Sequence, residues 1–95
     1  MINNVIMAIL DVFDITGKGT VVIGTIIKSC TIDEKVYLLR PDDTLLETCI
    51  IGIDYFEKKL KSADNGDNVG IWLENVTKKD IPDKTIIIKS PLVLE

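Results

Sequence analysis

A glycine-rich stretch near the start of the chain, DITGKGT at residues 14–20, carries the residue types of a phosphate-binding loop. Such a loop has the pattern G-x-x-x-x-G-K-[ST], and it follows a strand and opens a helix so that backbone N–H groups surround the phosphate. Here Lys18 lies between Gly17 and Gly19, and the strand-like run TVVIGTII follows. The stretch therefore predicts a β-hairpin turn in which the two glycines adopt positive φ, and it predicts no nucleotide site.

Catalytic side chains are scarce in this sequence. Histidine is absent, which removes the commonest general base and any histidine-based triad or zinc site. Cys30 and Cys49 lack CxxC spacing and an activating base, so we predict two reduced, semi-buried thiols. The run from Asp64 to Asn68 has calcium-like residue types without the twelve-residue loop and its terminal Glu, and it predicts a turn. We predict no enzyme activity, no metal and no cofactor.

Composition narrows the class of protein further. The 95 residues predict one domain over 1–95, and the net charge of −4 argues against a dominant phosphate-binding surface. No apolar run approaches the ~20 residues that span a bilayer, and MINNVIMAIL lacks the basic start of a secretory signal. We therefore expect a cytoplasmic protein without a membrane segment. Leu94 and Glu95 are interpreted as a cloning remnant.

The secondary-structure elements that position a binding or catalytic site in this chain are predicted to be strands. Apolar, β-branched runs separated by turn residues predict six of them, at 5–13, 20–28, 35–40, 44–53, 68–74 and 84–89. Gly24, Gly52 and Gly70 fall inside strands, where they mark bends or close backbone approaches and favour a small closed barrel over a sandwich. A single helical turn is predicted at 78–81, before Pro82.

Alternation within these strands predicts which side chains share a face. Val69, Ile71 and Leu73 lie on one face of their strand, so Trp72 is expected on the other. Alternation also divides the strand at 44–53 between two faces. One face carries Leu45, Cys49, Ile51 and Ile53, and the other carries Thr44, Thr48 and Gly52. An exposed Trp72 would be a contact anchor, because tryptophan is enriched at interface hot spots.

Several spaced motifs together resemble one known domain. DVFDITGKGTVVIG at 11–24 closely resembles the first hairpin of domain 2 of elongation factor Tu and related translational GTPases. Lys35-Val36, GIDYFEKKL at 52–60 and GDNVGIWL at 66–73 match the same domain in order, and IPDKTIII at 81–88 matches its closing segment more loosely. The resemblance covers residues 9–89 and implies an all-β fold, a six-stranded antiparallel closed β-barrel. Because the GTPase domain and third domain have no counterpart, it implies domain 2 standing alone.

The resemblance also implies a set of binding residues. In that factor, domain 2 helps to hold the aminoacylated 3′ end of tRNA. Phe13 matches an aromatic side chain of the amino-acid pocket, Asn68 a pocket asparagine, Asp54 a glutamate beside the terminal adenosine, and Lys18 an arginine. Tyr55, Phe56 and Trp72 are further contact candidates, although Phe13 and Phe56 serve equally well in barrel packing.

Three positions depart from the pattern of that domain. Ile23 replaces a pocket threonine, while Glu57 and Glu74 replace two arginines. Exchanging a phosphate-facing arginine for glutamate turns attraction into repulsion. Binding of tRNA or the ribosome is therefore expected to be weakened.

Three functions remain open at this point. The first is a non-catalytic module that binds another protein or itself, and the second is an RNA-binding domain that contacts the 3′ end of aminoacylated tRNA in translation elongation. The third is a fragment of a larger GTPase, against which the start MINNVIMAIL counts because it runs straight into the first strand.

Overall fold

A computed structural model describes residues 4–91 of the chain. Its strands are β1 (Val5–Ile15), β2 (Gly19–Ile26), β3 (Cys30–Thr31), β4 (Lys35–Leu39), β5 (Leu45–Tyr55), β6 (Lys58–Leu60), β7 (Ser62–Ala63), β8 (Asn68–Leu73) and β9 (Ile86–Ile88). One 3₁₀ helix covers Lys78–Asp80, which confirms the predicted helical turn. No helix among residues 4–91 is long and apolar enough to cross a bilayer. The proposed cloning remnant, Leu94 and Glu95, lies outside the described residues.

Six of the strands form a ring. β1 pairs with β9 and β2, β2 with β8, β8 with β5, β5 with β4, and β4 with β9, and every one of these pairs is antiparallel. Each strand of the ring therefore hydrogen-bonds to two neighbours and presents no long unpaired edge. β6 continues from β5 as a short hairpin, and β3 pairs with β7 in a separate ribbon.

Alternating side chains fill the inside of the ring. Val69, Ile71 and Leu73 of β8 are buried together, as their parity predicts. Three buried threonines, Thr20, Thr48 and Thr85, have hydroxyls that donate to backbone carbonyls at 2.6–2.7 Å. Within residues 4–91 no buried side-chain nitrogen or oxygen lacks a partner, so the core carries no uncompensated polar group.

The glycine-rich stretch is the hairpin between β1 and β2. Ile15 pairs with Gly19, and the backbone N–H of Lys18 donates to the carbonyl of Ile15 at 2.9 Å. Gly17 and Gly19 have φ values of 80° and 123°, which glycine adopts without steric cost. The loop leads into a strand rather than a helix, and this confirms the hairpin prediction.

Glycine within the strands permits close approach, as predicted. A Cβ on Gly24 would lie 2.7 Å from the carbonyl oxygen of Ala8 and 2.8 Å from Cγ of Met7. A Cβ on Gly70 would lie 3.1 Å from Cγ2 of Val21. At Gly24 no side chain fits unless β1 moves, whereas at Gly70 the missing side chain leaves a hollow on the outside of the ring.

Three register shifts alter which residues face the core. They lie between Val5 and Met7 and between Ile9 and Asp11 in β1, and between Ile50 and Gly52 in β5. As a result, the Ile51 side chain is 50% exposed, although regular alternation would place it on the same face as the buried Ile53. The short strands β3, β6 and β7 were not predicted, because none of them carries an apolar, β-branched run such as the Ile86–Ile88 run of β9.

Candidate functional site

An open groove crosses the outer face of the ring, over β2, β8 and the end of β5. It encloses about 480 Å³, which lies within the range of small-molecule and side-chain pockets. Its lining residues are Ile15, Lys18, Val21, Ile23, Asp54, Phe56, Asn68, Val69, Gly70 and Trp72. Most of this lining is apolar, so the groove suits a ligand with an apolar body.

The register of the strands creates the hollow. Val21 of β2 stands opposite Trp72 of β8, and Ile23 stands opposite Gly70. Because Gly70 has no side chain, Ile23 and Val21 form one wall and the Trp72 indole another. Gly52 of β5 lies on the far side of Trp72, where a Cβ would approach Cδ1 of the indole to 3.3 Å. Gly52 therefore lies against one side of the indole, and Gly70 forms the floor of the groove on its other side.

A hydrogen bond holds the indole in place. The Trp72 Nε1–H donates to Oδ2 of Asp54 at 2.9 Å, and the Lys59 ammonium lies 3.3 Å from Oδ1 of the same carboxylate. Both carboxylate oxygens of Asp54 are thus engaged by neighbours. This arrangement orients the ring of Trp72 and neutralises the charge at that end of the groove.

A second polar contact lies at the same end. The Thr25 hydroxyl donates to Oδ1 of Asn68, and it joins β2 to the start of β8 across a directly opposed residue pair. Asn68 is exposed at the rim of the groove. Its side chain is therefore oriented by β2 as well as by its own strand.

An exposed aromatic side chain marks the tip of the β5–β6 hairpin. Phe56 is 85% exposed and has a φ of 56°, a conformation that is rare for a bulky residue and costs of order 1 kcal/mol. Its ring meets that of Tyr55 edge to face, with centroids 4.6 Å apart. An aromatic side chain held in this way offers a contact surface at the end of the groove.

The structure brings five of the seven candidate binding residues to this groove, namely Lys18, Asp54, Phe56, Asn68 and Trp72. The other two flank it, because Phe13 of β1 pairs with Val21 of β2 and Tyr55 contacts Phe56. Ile15, Val21, Val69 and Gly70 were missed. The alternation of Phe13 with Ile15 was a usable signal for the first of these.

Glu57 and Glu74, the two acidic departures, do not line the groove. Both side chains are exposed. Glu57 belongs to the β5–β6 turn, and Glu74 follows β8, where its backbone N–H donates to the carbonyl of Cys49 at 3.0 Å.

The two cysteine thiols are not activated for nucleophilic chemistry. Burial raises the pKa of the Cys30 thiol to about 11, and burial followed by the nearby Glu74 and Asp33 carboxylates raises the pKa of Cys49. Both cysteines are free and stay protonated at neutral pH, so neither is an activated nucleophile. Among residues 4–91, no group of three or more His, Cys, Asp or Glu could hold a metal ion.

Comparison with known proteins shows what the chain is similar to. No protein-family model matches the chain. Over 88 residues, 90% of the chain, it is 42% identical to the apicoplast elongation factor Tu of Plasmodium falciparum (isolate 3D7). The chain resembles domain 2 of elongation factor Tu. It spans only 21% of the length of that relative. The similarity links the chain to translation elongation factors, and the all-β ring agrees with the resemblance seen in its motifs.

Proposed function

We propose that the chain is a single, non-catalytic binding domain of the translation-factor domain 2 type that acts in the cytoplasm. Its six-stranded ring serves as a closed β-barrel, and its outer groove binds apolar side chains of a protein partner, which includes a second copy of the chain. The observation that carries this proposal is the apolar groove beside the oriented Trp72.

The surroundings of the groove support a protein partner. Phe13, Ile15 and Ile23 are 45%, 40% and 36% exposed on the same outer face, and Phe56 extends this apolar surface. Contiguous exposed apolar and aromatic surface of this kind is typical of protein interfaces. The carboxylate of Asp54 is already engaged by Trp72 and Lys59, so an apolar ligand meets little unpaired charge.

A pair of matched variants tests this proposal. Ile23→Asp places a charge in the wall of the groove, whereas Leu45→Asp places the same charge on β5 at the Leu39 pairing, away from the groove. Both residues are exposed, at 36% and 42%, so both variants are expected to fold. Proteins from native lysate should bind to wild type and Leu45→Asp and be lost with Ile23→Asp. Equal capture by all three proteins would contradict a groove-mediated function.

A second candidate function is binding of the aminoacylated 3′ end of tRNA. The observation that favours it is that Lys18, Asp54 and Asn68 line the same groove as Trp72. An aromatic face with a few polar groups suits a nucleobase and its sugar.

Aminoacylated and deacylated tRNA distinguish the two candidate functions. If the groove holds the aminoacyl end, aminoacyl-tRNA should bind more tightly than deacylated tRNA, and Ile23→Asp should remove that difference. If the groove serves a protein partner, the two tRNAs should bind equally weakly. Filter binding at low and moderate salt would measure both, because phosphate contacts give affinity a steep salt dependence.

A further inference from the structure

The connection between β7 and β8 contains an asparagine followed by glycine, Asn65-Gly66, the only such pair in the chain. This pair is the one in which spontaneous deamidation is fastest, since glycine places no side chain in the way of the attacking backbone nitrogen. The Gly66 nitrogen attacks the Asn65 side-chain carbonyl carbon, and ammonia leaves as a succinimide forms. Water then opens the ring to aspartate or isoaspartate, so no other reactant is needed.

The folded structure holds both reacting groups in other contacts. The Gly66 N–H donates to the carbonyl of Ile26 at 2.8 Å, and the Asn65 side-chain nitrogen donates to the carbonyl of Ile27 at 2.6 Å. Gly66 has a φ of 95°, and a further backbone bond, from Asp67 N to Asp64 O at 3.0 Å, closes the turn. Asn65 is nevertheless exposed to water, so reaction is limited by geometry rather than by access.

We propose that Asn65 is a modification site whose deamidation is gated by opening of this turn. While the contacts to Ile26 and Ile27 persist, the Gly66 nitrogen is unable to approach the Asn65 carbonyl carbon. Reaction proceeds only in the fraction of molecules in which the turn has opened, as for other chemistry that depends on local unfolding.

The product no longer fits the turn. A carboxylate at position 65 places an acceptor against the carbonyl of Ile27, where the amide had donated. It also adds negative charge beside Asp64 and Asp67. Isoaspartate further lengthens the backbone by one carbon, three residues before Asn68 at the rim of the groove. Modification therefore weakens the turn that positions this rim.

Peptide mapping by mass spectrometry tests the gating. Purified protein is incubated at mildly alkaline pH with and without concentrated urea, and aspartate and isoaspartate at position 65 are quantified over time. We expect the folded protein to react at least roughly tenfold more slowly, since only opened molecules react. Equal rates in the two conditions would overturn the gating, and an unreactive Asn65 in urea would overturn the site itself.

Two variants test whether the contacts of the turn control the rate of deamidation at Asn65. Asp67→Ala removes the carboxylate that accepts the Asp64 N–H at 2.9 Å but leaves Asn65-Gly66 unchanged. It should speed deamidation in the folded protein and leave the rate in urea unaltered. Asp83→Ala, which removes an exposed carboxylate elsewhere, is the matched control and should change neither rate. If both variants react like wild type when folded, the turn contacts do not control the reaction.

A third variant tests the consequence of the modification. Asn65→Asp reproduces the aspartate product and should lower the Tm relative to wild type, whereas Asn75→Asp, a matched control at another turn, should leave it nearly unchanged. A Tm for Asn65→Asp equal to that of wild type would overturn the claim that the product fits the turn poorly.

Discussion

The hydrogen bond between Asp54 and Trp72 predicts a measurable loss of stability when the carboxylate is removed. In Asp54→Ala the indole N–H, 2.9 Å from Oδ2, loses its acceptor. A hydrogen bond to a charged group contributes about 1.5–3 kcal/mol when well buried. Because the Asp54 side chain is 30% exposed, we expect about 1–2 kcal/mol. The Lys59 side chain is 85% exposed, so its ion pair adds only a few tenths of a kcal/mol.

Thermal unfolding measures this loss, and two matched variants assign it. At about 4–8 °C per kcal/mol for a domain of this size, a loss of about 1–2 kcal/mol in Asp54→Ala should lower the Tm by roughly 4–16 °C. Asp54→Asn keeps an oxygen that accepts the indole N–H, and Lys59→Ala removes only the ion pair. Lys59→Ala should lower the Tm by less than about 3 °C, and Asp54→Asn, whose neutral oxygen is a weaker acceptor, should lower it by less than Asp54→Ala does. The fluorescence of Trp72, the single tryptophan of the chain, should shift to longer wavelength in Asp54→Ala alone as the indole becomes more solvated.

Three outcomes would refute this reasoning. A Tm for Asp54→Ala equal to that of wild type would mean that the indole contact is not stabilising. A loss with Lys59→Ala as large as with Asp54→Ala would assign the effect to the ion pair. A loss with Asp54→Asn as large as with Asp54→Ala would assign it to the negative charge of the carboxylate.

Three further predictions follow from the hairpin, the acidic departures and the buried thiol. Titration calorimetry with Mg-GTP should give no binding heat, because the loop at Gly17 leads into a strand and gathers no N–H groups around a phosphate; micromolar affinity would contradict this. The double variant Glu57→Arg, Glu74→Arg changes the net charge from −4 to 0, since each substitution adds two positive units. It should bind tRNA more tightly and with a steeper salt dependence than wild type, and nanomolar wild-type affinity with a steep salt slope would show that these residues lie off the RNA path. Burial raises the pKa of Cys30 from 9.0 to about 11, so the unfolded chain loses this proton first and the free energy of unfolding should fall as the pH rises from 9 to 11. Urea titrations should show that Cys30→Ala reduces this fall, part of which comes from Cys49 because its pKa is also raised, and an unchanged pH dependence in the variant would assign the fall to other groups.

Much of the fold was predictable from local patterns. The six strands of the ring were recognised because apolar, β-branched runs occur between turn residues. The hairpin at Gly17 was recognised because its spacing does not match a phosphate loop. The alternation of side chains along a strand was enough to place Trp72 on the other face of β8 from Ile71 and Leu73. The short strands escaped detection, since their pairing depends on distant parts of the chain.

The groove was only partly predictable. Lys18, Asp54, Phe56, Asn68 and Trp72 were selected by resemblance, and the sequence offered no physical reason for them to meet. The contact between Trp72 and Asp54 joins residues 18 positions apart, and that between Thr25 and Asn68 joins residues 43 apart. No local sequence pattern spans such separations along the chain.

By itself, the sequence determined the strand-rich class, the absence of histidine chemistry, the tight turn at Gly17 and the apolar faces of β2 and β8. These are properties of composition and of the two-residue period of a strand. Tertiary structure decided the register that sets Ile23 opposite Gly70 and Val21 opposite Trp72, as well as the bulge that exposes Ile51. Register depends on how all six strands share one core, and a shift of one residue would turn each side chain to the other face. The groove exists because that shared packing selects one register.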